Sequence, residues 1–221
     1  YTVEEGQTSY DLTYLDGNAL KLFSFLGSPV YQKAGSLSRG IAIKDNYAFV
    51  CDGNSFSILD ISDPNKMLYV HSDNTFNAWH SIQVDGNYAY LATGSEGVAI
   101  IDITDPTNPG TPVFAAATPS GVNDVIIRGD YAYFADGDKG LGIIDISDPK
   151  NLGTPVYSDS TGRSLKKLAL SGDYAFSVDN SGLNIFDISD PNNPIFFTSR
   201  DLGNISDITI KDDYAYLVKS N

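Results

Sequence analysis

Tyr131-Ala132-Tyr133-Phe134-Ala135, then Asp136-Gly137-Asp138-Lys139-Gly140, then Leu141-Gly142-Ile143-Ile144-Asp145-Ile146-Ser147-Asp148-Pro149, is the centre of one period of a pattern that repeats along most of the chain. Tyr-Ala-aromatic returns at Tyr47, Tyr88, Tyr131, Tyr174 and Tyr214, at spacings of 41, 43, 43 and 40. Asp-Ile-Ser/Thr-Asp-Pro returns at Asp60, Asp102, Asp145 and Asp187, at spacings of 42, 43 and 42. Two independent markers keep one period, and a period of about 40–45 residues suits a four-stranded propeller blade.

Each period reads as four short strands. The first alternates, as in Ser81-Ile82-Gln83-Val84. A two-residue turn follows at Gly86-Asn87, Gly129-Asp130 and Gly172-Asp173, with Asp45-Asn46 and Asp212-Asp213 in the same place. These residue types tolerate the positive φ of tight hairpins. The Tyr-Ala-aromatic strand is next. The third strands, 56–61, 98–103, 141–146 and 183–188, are nearly unbroken apolar runs, as expected of strands covered on both faces. Asp-Pro ends each one, because Pro donates nothing to a ladder. A fourth, less regular strand lies outermost, at 112–117 or 195–199. No stretch has a convincing 3.6-residue period, so almost no helix is expected.

Residues 20–25 resemble the third strand at 183–188, and 29–31 the fourth strand after it, while 207–210 and 214–218 form a first and a second strand. The expected fold is therefore all-β: a five-bladed β-propeller of four-stranded antiparallel blades, one composite blade being closed by both termini. Closure of that kind leaves no free edge. Residues 18–221 form the propeller domain and 1–17 an N-terminal extension.

Composition narrows the function. The 221 residues carry 28 Asp and Glu against 14 Lys and Arg, a net charge of −14, which disfavours binding to nucleic-acid phosphates. No run of about 18 apolar residues is present to span a membrane. One cysteine excludes an intramolecular disulfide and a Cys-rich metal site, and two histidines make His-based metal catalysis improbable. With 42% hydrophobic and 12% aromatic residues the chain is not of disordered type.

The Tyr-Ala-Tyr strand, its upstream Gly-Asn or Gly-Asp, and Ile-Ile-Asp-Ile-Ser-Asp-Pro resemble the LVIVD-repeat propellers of bacterial and archaeal cell-surface proteins. The resemblance covers about residues 19–218. It implies an extracellular or cell-surface setting, and it carries no shared catalytic motif with it.

The leading ends of the first strands should ring one mouth of the central tunnel. Arg39, His80, Asn123, Lys166 and Ser206 share one register there, followed by Gly40, Ser81, Asp124, Lys167 and Asp207. These positions vary while the apolar ones beside them hold their type. They read either as a polar pocket for a small ligand, with Arg39, Trp79, His80, Asn123, Asp124, Lys166 and Asp207 as contacts, or as polar groups that satisfy one another around water. Asp124 and Asp207 would be the carboxylate pair of a glycan hydrolase, but lysines crowd the same rim and the only aromatic nearby is Trp79. An exposed Trp79 would anchor a partner; a buried one would fill a blade junction. Asp136-Gly137-Asp138 opens like a calcium loop, with Asp136 and Asp138 as ligands, although calcium wants six to eight oxygens. The recurrent Asp60, Asp102, Asp145 and Asp187 suit a turn role, each accepting backbone N–H bonds from the residues that follow. Cys51 should be a buried thiol, and His71 solvated on an outer strand.

Ser9 to Leu15 alternates polar and apolar, with Tyr10, Leu12 and Tyr14 on one face. Such a strand can extend its own outer blade or add to another copy's edge. Tyr1 in place of Met fits the removal of a leader. The leading expectation is a non-enzymatic extracellular or cell-surface propeller, a structural or protein-interaction module, with self-assembly through this strand as one role for the extension, beside an ordered addition to its own blade and a disordered tail. It has no cofactor, and its partner is another protein or a copy of itself. The alternatives are a small-ligand or calcium-binding propeller using the tunnel mouth, and a glycan-acting hydrolase.

Overall fold

The computed structural model describes residues 19–23, 29–34, 39–51, 55–63, 66–73, 79–115, 120–158 and 162–220, with side chains from Arg39 onward. The extension 1–17, with Tyr10, Leu12 and Tyr14, lies outside the described residues. Strands β1 (Ala19–Phe23) and β2 (Pro29–Ala34) form an antiparallel pair. Four four-stranded sheets follow, each an antiparallel meander in chain order. Blade one holds β3 (Gly40–Lys44), β4 (Tyr47–Cys51), β5 (Phe56–Asp60) and β6 (Leu68–Asp73). Blade two holds β7 (Ser81–Asp85), β8 (Tyr88–Ala92), β9 (Val98–Asp102) and β10 (Val113–Ala115). Blade three holds β11 (Asp124–Arg128), β12 (Tyr131–Asp136), β13 (Gly140–Asp145) and β14 (Val156–Tyr157). Blade four holds β15 (Lys167–Ser171), β16 (Tyr174–Val178), β17 (Gly182–Asp187) and β18 (Ile195–Asp201). A last hairpin pairs β19 (Ile205–Lys211) with β20 (Tyr214–Lys219). The described residues contain no helix.

The turn chemistry is the same in every repeat. The first residue of each inner hairpin turn has positive φ: Asp45 at 51°, Gly86 at 51°, Gly129 at 58°, Gly172 at 52° and Asp212 at 52°. That conformation gives the primed turns whose twist matches the strands. At the end of each third strand an aspartate accepts the backbone N–H two residues on: Asp60 from Ser62 at 2.8 Å, Asp102 from Thr104 at 3.0 Å, Asp145 from Ser147 at 2.8 Å and Asp187 from Ser189 at 2.9 Å. The residue between then donates to the inner hairpin turn, as Ile103 does to the Asn87 carbonyl and Ile146 to that of Asp130. The acidic motif thus stops the strand and ties its end to the turn beside it.

Blades stack face on face. The forward face of blade one (Phe49, Cys51, Phe56, Ile58) packs on Ile82, Ala89, Leu91 and Ile101 of blade two. Tyr90, Ala92, Val98 and Ile100 then meet Val125, Ala132, Phe134 and Ile144 of blade three. Tyr133, Ala135, Leu141 and Ile143 meet Leu168, Ala175 and Phe186 of blade four. Burying each large side chain contributes about 1.5–3 kcal/mol, so the junctions hold the molecule together. Neighbouring strands share the space within a face. Leu91 lies opposite Ala99, Phe134 opposite Gly142 and Ser177 opposite Asn184. The bulky member in one strand is matched by a small one in the other.

The two ends of the stack differ from the expected closed ring. The sequence predicts one composite sheet, whereas β1 pairs with β2 and β19 with β20 as separate two-stranded sheets. Each is a local hairpin. Uniting them requires contacts between segments about 180 residues apart, which carry a larger loop-closure cost. Nothing of comparable extent to the stacking of β3 on β7, β7 on β11, β11 on β15 and β15 on β19 joins β19 to β3 among the described residues. Ile41 is 42% exposed where its equivalent Ile82 is 5%, and Tyr216 is 53% exposed where Tyr133 is 1%.

Candidate functional site

The leading ends of β3, β7, β11 and β15 do lie side by side. One backbone bond fixes each position: Arg39 N–H to the Cys51 carbonyl at 2.9 Å, His80 to Ala92 at 2.7 Å, Asn123 to Ala135 at 2.8 Å and Lys166 to Val178 at 2.9 Å. The side chains then reach across blade junctions. An Arg39 guanidinium N–H meets His80 Nδ1 at 3.1 Å. Guanidinium is donor only, so Nδ1 accepts and the imidazole proton sits on Nε2. Burial, the Arg39 charge and the Lys167 charge together hold the imidazole pKa below its usual value. Asn123 donates to the Leu165 carbonyl at 2.8 Å. Lys166 Nζ rests on the amide oxygens of Asn180 and, at 3.0 Å, Asn204.

The carboxylates are committed locally. Asp124 is buried, accepts the Leu168 N–H at 3.0 Å and pairs with Lys167 Nζ at 3.4 Å, which ties blade three to blade four. Asp207 accepts the N–H of its own neighbour Ile208 at 2.9 Å. Trp79 is not at the mouth. It is fully buried, its ring 6.0 Å from Phe56 in the junction of blades one and two. The same register is buried in later repeats by Val122, Leu165 and Ile205, so the indole is the largest member of a recurring junction position.

Asp136 and Asp138 are parted by the turn between them. Asp136 is buried and accepts the Tyr157 hydroxyl at 2.9 Å, which with burial pushes that phenol's pKa up, whereas Asp138 is exposed. No group of three or more His, Cys, Asp or Glu fit to hold a metal occurs among the described residues. Cys51 is buried, its Sγ 3.6 Å from the Gly40 carbonyl. His71 lies on β6, its ring 6.4 Å from Phe56. A cleft of about 390 Å³ opens on the outer side of blades three and four, lined by Tyr157, Asn193, Pro194, Ile195 and Phe196.

Several junction contacts leave little signal in the sequence. Lys44 donates to the Gly86 carbonyl and the Asn87 side chain of the next blade, and Arg128 to the Gly172 carbonyl. Gln83 Oε1 accepts the Ile127 N–H at 2.9 Å. The shared register of Lys44 and Arg128, one residue before each turn, was the only available pointer. Arg163, Asp179 and Asn184 form a further polar cluster: Asn184 donates to Asp179 at 3.0 Å and Arg163 lies 3.7 Å from it.

A family pattern described as the LVIVD repeat matches residues 35–75, 78–112, 121–154 and 162–201, more than half of the chain and all four complete blades. The chain belongs to the LVIVD-repeat family. The matched spans of these LVIVD repeats each begin before a first strand and end near a fourth. No curated protein matches the sequence. Among solved structures, the chain is similar to the computationally designed Ika8 protein (14% identity, TM-score 0.67, 90% of this chain and 61% of that one). It is also similar to a chain of a nidogen/laminin complex (10%, 0.65, 87% and 75%) and to Kluyveromyces lactis Hsv2 (13%, 0.62, 87% and 67%). The LVIVD chain spans about three fifths of the designed protein's length. At these identities the likeness is one of fold: a repeat β-propeller module.

Proposed function

We propose that this LVIVD chain is a non-enzymatic interaction module of the extracellular space or cell surface, closing as five blades and joining a protein partner or copies of itself through residues 1–17. The observation that carries the reading is the uncovered apolar face of β20, where Tyr216 and Val218 are exposed at positions that blades one to three bury. Aligning 20–25 with 183–188 puts β1 on the outer edge of β20, with Leu20 opposite Val218 as Leu183 is opposite Val178. The strand 9–15 would then be free to pair at an outer edge of another copy. Light scattering tests this. The full chain should assemble, and the chain lacking 1–17 should be a monomer; equal masses for both would end the self-assembly reading. Leu20→Cys with Val218→Cys, in a Cys51→Ser chain, should form an intrachain disulfide on oxidation; dimers or free thiols alone would end the five-blade closure. A second reading, a small-ligand site at the tunnel mouth, is favoured by the Arg39–His80 contact.

A further inference from the structure

Two side chains of one inner strand tie blade three to blade four. Asp124, at the leading end of β11, accepts the Leu168 N–H of β15 at 3.0 Å. Arg128, four residues on, donates to the Gly172 carbonyl in the next hairpin turn. Lys44 makes the second of these contacts from blade one to blade two, on the Gly86 carbonyl. Counted back from the hairpin turn, Asp207 and Lys211 of β19 hold the registers of Asp124 and Arg128. The matching receivers are on β3, where Ile41 holds the register of Leu168 and Asp45 that of Gly172. The pairing agrees, since Ile41 lies opposite Val50 as Leu168 lies opposite Ser177.

Ile41 is also the odd member of its register. Ile82, Val125, Leu168 and Ile208 are buried, each in a junction with a second-strand residue of the blade before it: Cys51, Ala92, Ala135 and Val178 in turn. Ile41 is exposed, and so is Val218, which holds the register of those four second-strand residues. Each therefore has the apolar side chain of a junction without the cover.

We propose that β19 docks on β3 of the same chain as blade three docks on blade four. Asp207 Oδ2 accepts the Ile41 N–H, Lys211 Nζ donates to the Asp45 carbonyl, and Ile41 packs on Tyr216 and Val218. Asp207 takes the Ile208 N–H on Oδ1, and a carboxylate accepts on both oxygens. Both new hydrogen bonds are charge-assisted, hence stronger than neutral ones. Lys167, which pairs with Asp124, is matched on β3 by Gly40, so the Ile41 N–H is all that Asp207 meets in this register. Chain length favours one chain over two. With β1–β2 seated at the outer edge of β20, residues 35–39 carry the chain from β2 to β3, as residues 202–204 carry it from β18 to β19. The inference rests on the five-blade closure proposed above and names the inner junction that this closure makes.

Amide hydrogen exchange of the full chain, read residue by residue by NMR, tests the junction. The Ile41 N–H should be protected in the parent. Asp207→Ala should speed its exchange about tenfold or more, the loss expected of one charge-assisted bond. Leu168, which has Asp124, should not change in that variant and serves as the internal reference. Asp207→Asn keeps an acceptor oxygen and should retain part of the protection. Lys211→Ala should speed exchange at Ile41 by about two- to tenfold. An isotope-labelled Asp207→Ala chain is then mixed with unlabelled parent. Ile41 should stay unprotected in the mixture; protection that returns would assign the acceptor to a second copy and overturn docking within one chain. An Ile41 amide that exchanges alike in the parent and in Asp207→Ala overturns the contact itself. A disulfide that forms in the Leu20→Cys, Val218→Cys chain while Ile41 is unprotected in the parent would leave the closure standing and remove this junction, so the two readings fail separately.

Discussion

Gly142 lies opposite Phe134 within blade three, and a Cβ added there would sit 2.2 Å from Phe134 Cε2 and 2.4 Å from Cζ. An ordinary contact needs 3.4 Å or more, so the ring must retreat by over an ångström. It has little freedom to do so: Phe134 is fully buried in the blade two–three junction, with Tyr157 edge-on at 5.9 Å. Gly142 has no positive φ, so the alanine strains nothing in the backbone and the cost is overpacking alone. Gly142→Ala should therefore destabilise the chain by about 2–3 kcal/mol, or roughly 4–12 °C in Tm at this chain length. Blade two shows the remedy, since Leu91 sits there opposite Ala99. Phe134→Leu alone should cost about 1–2 kcal/mol for the lost ring contacts. Combined with Gly142→Ala it should restore most of the loss, giving a coupling energy of at least about 1 kcal/mol in a double-mutant cycle. Denaturant unfolding of the four proteins measures it. Additive losses, or a Gly142→Ala chain within about 0.5 kcal/mol of the parent, would refute the idea that paired strands share a fixed volume.

Two further outcomes follow from the polar contacts. Asp124→Ala removes the acceptor of the Leu168 N–H and the partner of Lys167. It should cost about 1.5–3 kcal/mol, read by denaturant unfolding, and should loosen blade four first, seen as faster hydrogen exchange at Leu168. In the turns, the hydroxyl and then the N–H of the following Ser or Thr hold the carboxyls of Asp60, Asp102, Asp145 and Asp187 below their usual pKa of 3.8. A depressed folded-state pKa gives stability that is present above the unfolded value and lost as pH falls through the folded one. Melting temperatures should thus drop below about pH 4, and replacing all four by Asn should flatten that drop; an unchanged acid limb would show that the turns do not contribute it.

The repeat was legible because its markers recur: the turn aspartates, the positive-φ turn residues and the apolar third strands all do in space what their pattern implies. The rim residues were legible as a ring, because Arg39, His80, Asn123 and Lys166 share a register. Their partners were not. Asp124 was legible only as a carboxylate, since the N–H it accepts belongs to Leu168, 44 positions on. Asp136 resembled a calcium ligand because Tyr157, which donates to it, lies 21 residues away. Trp79 was read by residue type alone, although its register holds apolar Val122, Leu165 and Ile205 in later repeats, each of them buried. Phe134 and Gly142 looked unrelated, because shared volume between strands leaves no mark on either residue alone.

Four of the polar contacts that fasten one blade to the next share a property with wider reach. Lys44 binds the Gly86 carbonyl, Gln83 the Ile127 N–H, Asp124 the Leu168 N–H and Arg128 the Gly172 carbonyl. Each of these four bonds ends on main chain, which is the same whatever residue occupies the position, although Lys44 also reaches Asn87 and Asp124 also pairs with Lys167. A fastening of this kind asks nothing of its neighbour's sequence. The residue that makes it can be exchanged without a matching exchange next door, so repeats can be inserted, removed or reordered along the chain and still find their grip.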